Sequence, residues 1–237
     1  GFINDSKLQS IETILECIEE KKEGNIRQLM VFGCLSQRYC EELKAEMPEV
    51  DAWFGVNALS QILEYLQADV QDRLLGERIL STPSHYAYLK ISEGCNHGCA
   101  FCAIPQIRGR HISKPMERIW EEARILAENG VKELILVAQD LTSYGIDLYQ
   151  QRQLAGLLEG LARIPQLQWI RLHYAYPNHF PLEVLDVINA YPNICRYLDI
   201  PIQHIDDGLL QSMKRNISGD EIRRLLYIIR ERVPDVA

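Results

Sequence analysis

The apolar positions of this chain change period several times, and each change marks an element. Ile11, Ile14, Leu15 and Ile18 recur at helical spacing behind Asp5 and Ser6, either of which can cap a helix that ends at Gly24-Asn25. The apolar run 28–32 predicts a short strand, followed by Gly33-Cys34. Ser36 then predicts the cap of a helix that runs to about Glu46 and stops before Pro48. A second short strand is expected over 52–56, and a helix over 59–66. Alternation of helix and strand is the pattern of an α/β layer with a parallel sheet.

Residues 67–84 break this rhythm. They are polar, weakly periodic and contain Ser81-Thr82-Pro83-Ser84, so an N-terminal domain over 1–70 and a linker over 71–85 are expected. A βα repeat fills the remainder, 86–237. Strands are predicted over 87–91, 133–138, 169–174 and 197–202. The helices predicted with them cover 115–129, 154–163, 181–190, 206–214 and 218–232. Four successive βα units with near-continuous apolar strands imply a parallel sheet with helices outside it, as in an open or closed β/α barrel. Chemistry in such folds sits at the C-terminal ends of the strands.

Composition changes this picture little. The chain has 237 residues, 47% of them hydrophobic and 24% charged, which suits a globular protein with a sizeable core. No apolar run reaches membrane-span length and no signal peptide opens the chain, so a cytoplasmic protein without membrane attachment is expected. The net charge of −8 argues against a surface built to grip phosphate backbones, and no nucleic acid is required as partner. Residue 1 is Gly and the chain stops soon after a helix; both ends read as cut from a longer protein.

Seven cysteines are present, and clustered cysteines in a cytoplasmic chain point to metal or catalysis before disulfides. Three of them, Cys95, Cys99 and Cys102, form a C-x3-C-x2-C pattern just past the first strand of the second half. Three thiolates on one loop can each bind one iron of a [4Fe–4S] cube, leaving the fourth iron open. An open metal position is a catalytic feature. Gly94 and Gly98 let the loop wrap closely. A zinc site with His97 or His111 as fourth ligand is the competing reading, and with it a non-catalytic zinc-binding domain.

On this triplet the chain resembles the radical S-adenosylmethionine (SAM) superfamily. The resemblance implies that the open iron binds SAM and that the cluster delivers the electron which splits it. It also implies that Phe101, the aromatic before the last cysteine, lies near the adenine, although core packing would explain that residue equally well. Gln139 and Gln203 end the second and fourth strands of the repeat and are expected to hold the methionine and ribose of SAM; satisfaction of loop backbone is their alternative. Arg108 suits a carboxylate or a solvated surface, and His173, Tyr174 and Tyr176 suit packing or substrate contact.

Further blocks narrow the resemblance to the methylthiotransferase family. They are Gly1-Phe2-Ile3-Asn4, Gly33-Cys34-Leu35-Ser36-Gln37-Arg38-Tyr39, Ile104-Pro105-Gln106-Ile107-Arg108-Gly109 and Ser113-Lys114-Pro115. The stretch from Val137 to Gly145, with Asp140 where the tRNA-modifying branch has Asn, is similar to the branch that modifies a ribosomal protein. So is the stretch from Asp199 to His204 followed by Met213-Lys214-Arg215. That resemblance implies a truncated flavodoxin-like N-terminal domain and a truncated radical SAM β/α barrel. It implies a methylthio group added to the β-carbon of an aspartate in small-subunit ribosomal protein twelve, and an electron-donor protein as partner. It also implies Cys34 as a ligand of an auxiliary [4Fe–4S] cluster whose two other cysteines lie before residue 1. With Cys34 as sole ligand present, this chain is expected to cleave SAM slowly without completing methylthio transfer. A tRNA adenosine methylthiotransferase is the nearer alternative. Cys17 reads as core, while Cys40 and Cys195 have no evident partner.

Overall fold

The computed structural model describes residues 3–68 and 79–237, which fall into two compact units. Residues 3–68 belong to the first, together with 106–108; residues 79–105 and 109–237 form the second. Most of the expected linker, and Gly1 and Phe2 of the first resembling block, lie outside the described residues.

The first unit has a two-stranded parallel sheet of β1 (Met30–Phe32) and β2 (Ala52–Phe54), pairing Met30 with Ala52 and Phe32 with Phe54. Helices α1 (Asn4–Lys22), α2 (Cys34–Glu46) and α3 (Leu59–Tyr65) accompany it. Its core joins Ile14, Ile18, Leu29, Leu35, Leu43, Met47 and Val50, with Cys17 packed at the margin as expected. Three local expectations are corrected. Helix α1 starts at Asn4 with Ile3 as its uncapped boundary residue, so neither Asp5 nor Ser6 caps it. Leu15 faces outward, since a 100° step per residue carries it off the stripe of Ile14 and Ile18. Ser36 lies inside α2, which begins two residues earlier at Cys34 behind Gly33 (φ +118°).

The second unit is built on four parallel strands in the order β3 (Tyr86–Lys90), β6 (Glu133–Val137), β7 (Trp169–Leu172) and β8 (Ile194–Leu198). A small antiparallel pair, β4 (Ser92–Glu93) with β5 (Ile112–Ser113), brackets the cysteine loop. Helices α4 (Ile104–Arg108) and α6 (Ile146–Tyr149) are short. The longer ones are α5 (Met116–Glu128), α7 (Leu154–Ala162), α8 (Glu183–Ala190), α9 (Asp207–Ser212) and α10 (Gly219–Arg232). The fold is therefore α/β with a parallel sheet, as the pattern predicts.

Ala87 and Leu89 of β3, Leu134 and Leu136 of β6, and Ile170 and Leu172 of β7 join one core with Ile119 and Ala123 of α5 and Leu154, Leu157, Leu158 and Leu161 of α7. Each such leucine, fully buried, contributes about 1.5–3 kcal/mol relative to exposure. Gly160 lets the Trp120 indole pack closely on α7: a Cβ there would come within 2.3 Å of the ring. Helix α10 starts with a capping box, Ser218 and Glu221 each bonding the other's backbone N–H. Strand β8 corrects the expected 197–202. Ile194 pairs with Ile170 and Leu198 with Leu172 across an irregularity, and the chain leaves the sheet before Pro201, which has no N–H to give a ladder.

Candidate functional site

The segments that follow three strands of the sheet, and the loop that follows β3 by way of β4, carry the candidate chemistry at the C-terminal end of the parallel strands. The loop 94–103 follows β4, Gln139 and Asp140 follow β6, residues 173–176 follow β7, and residues 199–203 follow β8. Loop 94–103 carries Cys95, Cys99 and Cys102, all half-buried and free of disulfides.

The loop has no regular structure, so discrete hydrogen bonds hold it. Cys95 N–H donates to the Gly109 carbonyl (3.1 Å), Ala100 N–H to the Met213 carbonyl (3.0 Å), and Cys102 N–H to the Cys99 carbonyl (3.1 Å). The Asn96 side chain accepts from His111 N–H at 3.1 Å. Gly94 is required where it stands. Its φ is +77°, and a Cβ would fall 2.1 Å from the Arg110 carbonyl oxygen. Beneath the loop, Ser113 donates to Asp147 (2.6 Å) while accepting from Gly145 N–H (3.0 Å), which ties β5 to the turn after β6.

Asp140 is the hub. It is 1% exposed. One oxygen accepts from Thr142 N–H (2.8 Å) and Thr142 Oγ1 (2.7 Å), and the other takes Ser143 Oγ (2.6 Å) and His97 Nε2 (2.9 Å). Burial pushes this carboxyl up, but the bonds from His97, Ser143 and Thr142 outweigh it and hold the group below the usual carboxylate range. His97, midway along the cysteine loop, also stacks on Tyr176 with centroids 3.7 Å apart and planes 11° from parallel. Tyr176 in turn brings its hydroxyl to 3.7 Å from Cys99 Sγ.

The thiols sense one another. Burial pushes the Cys95 thiol up, negative charge on Asp140, Cys102 and Cys99 adds to the effect, and the His97 amide at 3.4 Å partly offsets it. Three sulfurs on one loop beside the buried Asp140 carboxylate are soft donors that a positively charged iron centre suits. Among the described residues no three His, Cys, Asp or Glu side chains converge as a set for one ion. A single zinc draws its sulfurs to about 2.3 Å from one centre, whereas a four-iron cube spaces its thiolates around a larger body. Nε2 of His97 and of His111 is committed elsewhere, to Asp140 and to Ser113 Oγ at 3.0 Å, and His111 Nδ1 is buried without a partner among the described residues. Three thiols with no fourth His, Cys, Asp or Glu side chain converging on them among the described residues are the donor set of a cluster with one open iron.

The remaining sequence candidates divide. Gln139 Oε1 is buried and has no hydrogen-bond partner among the described residues, so the backbone-satisfaction alternative does not account for it. Phe101 is 58% exposed, which removes the core alternative for it. Gln203 is exposed and held at φ +68°, a left-handed conformation that costs about 1–3 kcal/mol in a non-glycine residue. Tyr174 shares that feature at φ +72°. Cys34 lies in the first unit, at the first turn of α2, and Cys40 follows in the same helix. Sequence reasoning gave His97 only as a zinc ligand and Arg215 only as part of a block. An acid at a strand end followed by Thr and Ser two and three residues on, as at 140–143, is the local signal that marks a buried hub.

Comparison with known proteins agrees with this geometry. The profile of the Radical SAM superfamily matches residues 89–237. A ribosomal protein uS12 methylthiotransferase RimO from Christiangramia forsetii is 52% identical over 237 residues, covering 100% of this chain and 53% of that protein. The RimO of Bacteroides fragilis is 50% identical over 236 residues, with 100% and 55% covered. The chain thus spans about half the length of the curated relatives it matches. Among solved structures, the cobalamin-dependent S-adenosylmethionine radical enzyme OxsB with aqua-cobalamin bound superposes with a TM-score of 0.65 at 10% identity, over 94% of this chain and 38% of that one. The radical S-adenosylmethionine methyltransferase TsrM from Kitasatospora setae gives 0.51 at 18% identity, over 66% and 32%. At such identities the two structures speak for the fold.

Proposed function

The chain belongs to the radical SAM superfamily, and from that membership we propose that the protein is a methylthiotransferase acting on small-subunit ribosomal protein uS12, at the β-carbon of an aspartate. The observation that carries the reading is the half-buried triplet Cys95, Cys99 and Cys102 at the strand ends, with the buried Gln139 Oε1, unpartnered among the described residues, just past β6. Identity of 50–52% to RimO proteins over the whole chain supports this substrate class. A [4Fe–4S] cluster and SAM are the cofactors that superfamily membership implies.

In this reading Cys95, Cys99 and Cys102 hold the cluster. Gln139, Gln203 and Phe101 hold SAM, with Phe101 against the adenine. Bound there, the pair would supply one-electron radical chemistry that belongs to the cofactor and not to the protein. The chain's residues orient and shield. His97 and Asp140 fix the loop that carries the thiols, and the Gln139 amide oxygen accepts one ligand N–H that water would otherwise take. Cys34 supplies one thiolate of an auxiliary cluster that takes part in sulfur transfer. An electron-donor protein delivers the reducing electron. No helix among the described residues is long and apolar enough to cross a membrane.

Mass spectrometry after anaerobic incubation of the full-length protein with SAM, reductant, sulfide, ribosomal protein uS12 and tRNA decides the substrate. A methylthio mass gain on an aspartate of the ribosomal protein is expected. Gain on tRNA adenosine alone would overturn the substrate assignment and leave the chemistry standing.

A further inference from the structure

Arg215 is a buried cation without an anion. It is 3% exposed, and no carboxylate among the described residues pairs with it. Its Nη2 donates to the Pro201 carbonyl, and its Nε is buried with no partner among the described residues. Its guanidinium carbon lies 4.3 Å over the Tyr176 ring. Nη1 donates to Cys99 Sγ at 3.6 Å. Burying a charge is costly unless it is paired, so the neighbourhood must supply negative charge, and the thiol side of the site is where it arises.

The backbone is built to keep Arg215 there. Lys214 and Asn216, on either side, both adopt positive φ (+55° and +53°), which persists in non-glycine residues only where the surroundings impose it. Two bonds tie this turn to the cysteine loop and to the segment after β7: the Met213 carbonyl accepts from Ala100 N–H at 3.0 Å, and the Arg215 carbonyl accepts from Tyr176 Oη at 3.0 Å. The guanidinium is thus fixed against one cysteine of three, with a planar fork suited to two acceptors at once.

We propose that Arg215 is a positioning residue for the cluster, a charge-assisted hydrogen-bond donor to the Cys99 sulfur that raises the cluster's reduction potential. The proposal rests on the cluster reading above. A thiolate-held cluster carries net negative charge and gains more on reduction, and hydrogen bonds to its sulfurs and nearby charge are among the levers that set its potential. A fixed cation therefore stabilises the reduced form more than the oxidised one. Cys99 is the cysteine that both Arg215 and Tyr176 reach.

The test is EPR-monitored redox titration of the anaerobically reconstituted chain beside Arg215→Gln and Arg215→Lys. At a fixed applied potential, Arg215→Gln is expected to show a reduced-to-oxidised ratio about tenfold lower, equivalent to about 59 mV for a one-electron couple. Arg215→Lys keeps the charge and recovers most of that difference. An Arg215→Gln cluster titrating with the parent overturns the proposal, as does an unmoved potential accompanied by weaker SAM binding, which would put Arg215 on the ligand instead. Should Arg215→Gln fail to fold, the unsubstituted chain labelled with 15N in its arginine guanidinium groups still decides. Pulsed EPR of the reduced cluster is expected to show 15N coupling that disappears in Arg215→Lys. Absent coupling, or coupling that survives the substitution, refutes it. An unsubstituted chain that takes up no iron and sulfide defeats the cluster reading itself.

Discussion

Alanine at any one of Cys95, Cys99 or Cys102 is expected to abolish stable cluster loading, while alanine at Cys34 leaves this cluster in place. Each thiolate of the triplet holds one iron, so a single loss leaves two anchors on a loop with no regular structure. Changes to residues that merely support a ligand cost about 10–100-fold in metal affinity, and losing the ligand costs more. The fold should survive, because the three side chains are half-buried and lie outside the second unit's core. Iron and sulfide per chain, read beside far-UV circular dichroism, separate the two effects. Full iron and sulfide in all three variants would mean the cluster is held elsewhere. Cys34 lies in the first unit, at the start of α2, which makes it the internal control.

Asp140→Ala is the second large effect, and it acts through structure. The substitution strips the acceptor from Thr142 N–H, Thr142 Oγ1, Ser143 Oγ and His97 Nε2 in a buried setting. Each buried group left unsatisfied costs about 1–3 kcal/mol, and neighbours do not add fully, so a loss of about 3 kcal/mol is expected. His97 then loses its anchor between Cys95 and Cys99, and cluster content should fall with stability. Asp140→Asn is milder: its oxygen still accepts from Thr142, while its NH2 group faces donors that need an acceptor. The sign with pH follows from the depressed carboxyl. Its stabilisation is present above the ordinary Asp pKa and is lost as pH falls through the lower folded value. Urea titration at neutral pH measures the loss. A variant as stable as the parent would show that the hub carries no net stabilisation.

Much of the architecture was legible because it is written locally. The period of apolar residues found the helices α5, α7, α8 and α10 within a residue or two at most ends, and strands β3, β6 and β7 nearly as well. The cysteine spacing needed no tertiary information. What was not legible is long-range. His97 meets Asp140 across 43 residues, and Cys99 meets Arg215 across 116. No periodicity records such pairings; they appear only when parallel strands bring their ends together. Strand β8 was misplaced for a related reason. Residues after a strand at the site-bearing end of the sheet can be as apolar as the strand itself, so Ile200, Pro201 and Ile202 imitate a continuation that hydrogen bonding does not support. The caps of α1 and α2 failed because each helix starts earlier than its nearest polar residue suggested.

The central claim is that this triplet holds a [4Fe–4S] cluster with an open iron that takes SAM. EPR of the reconstituted, reduced chain before and after addition of SAM tests it most directly. The account predicts the signal of one reduced [4Fe–4S] cluster, changed in shape by SAM, with 5′-deoxyadenosine appearing on turnover. A chain that binds zinc without sulfide, or a cluster whose signal SAM leaves untouched and which releases no 5′-deoxyadenosine, would contradict it.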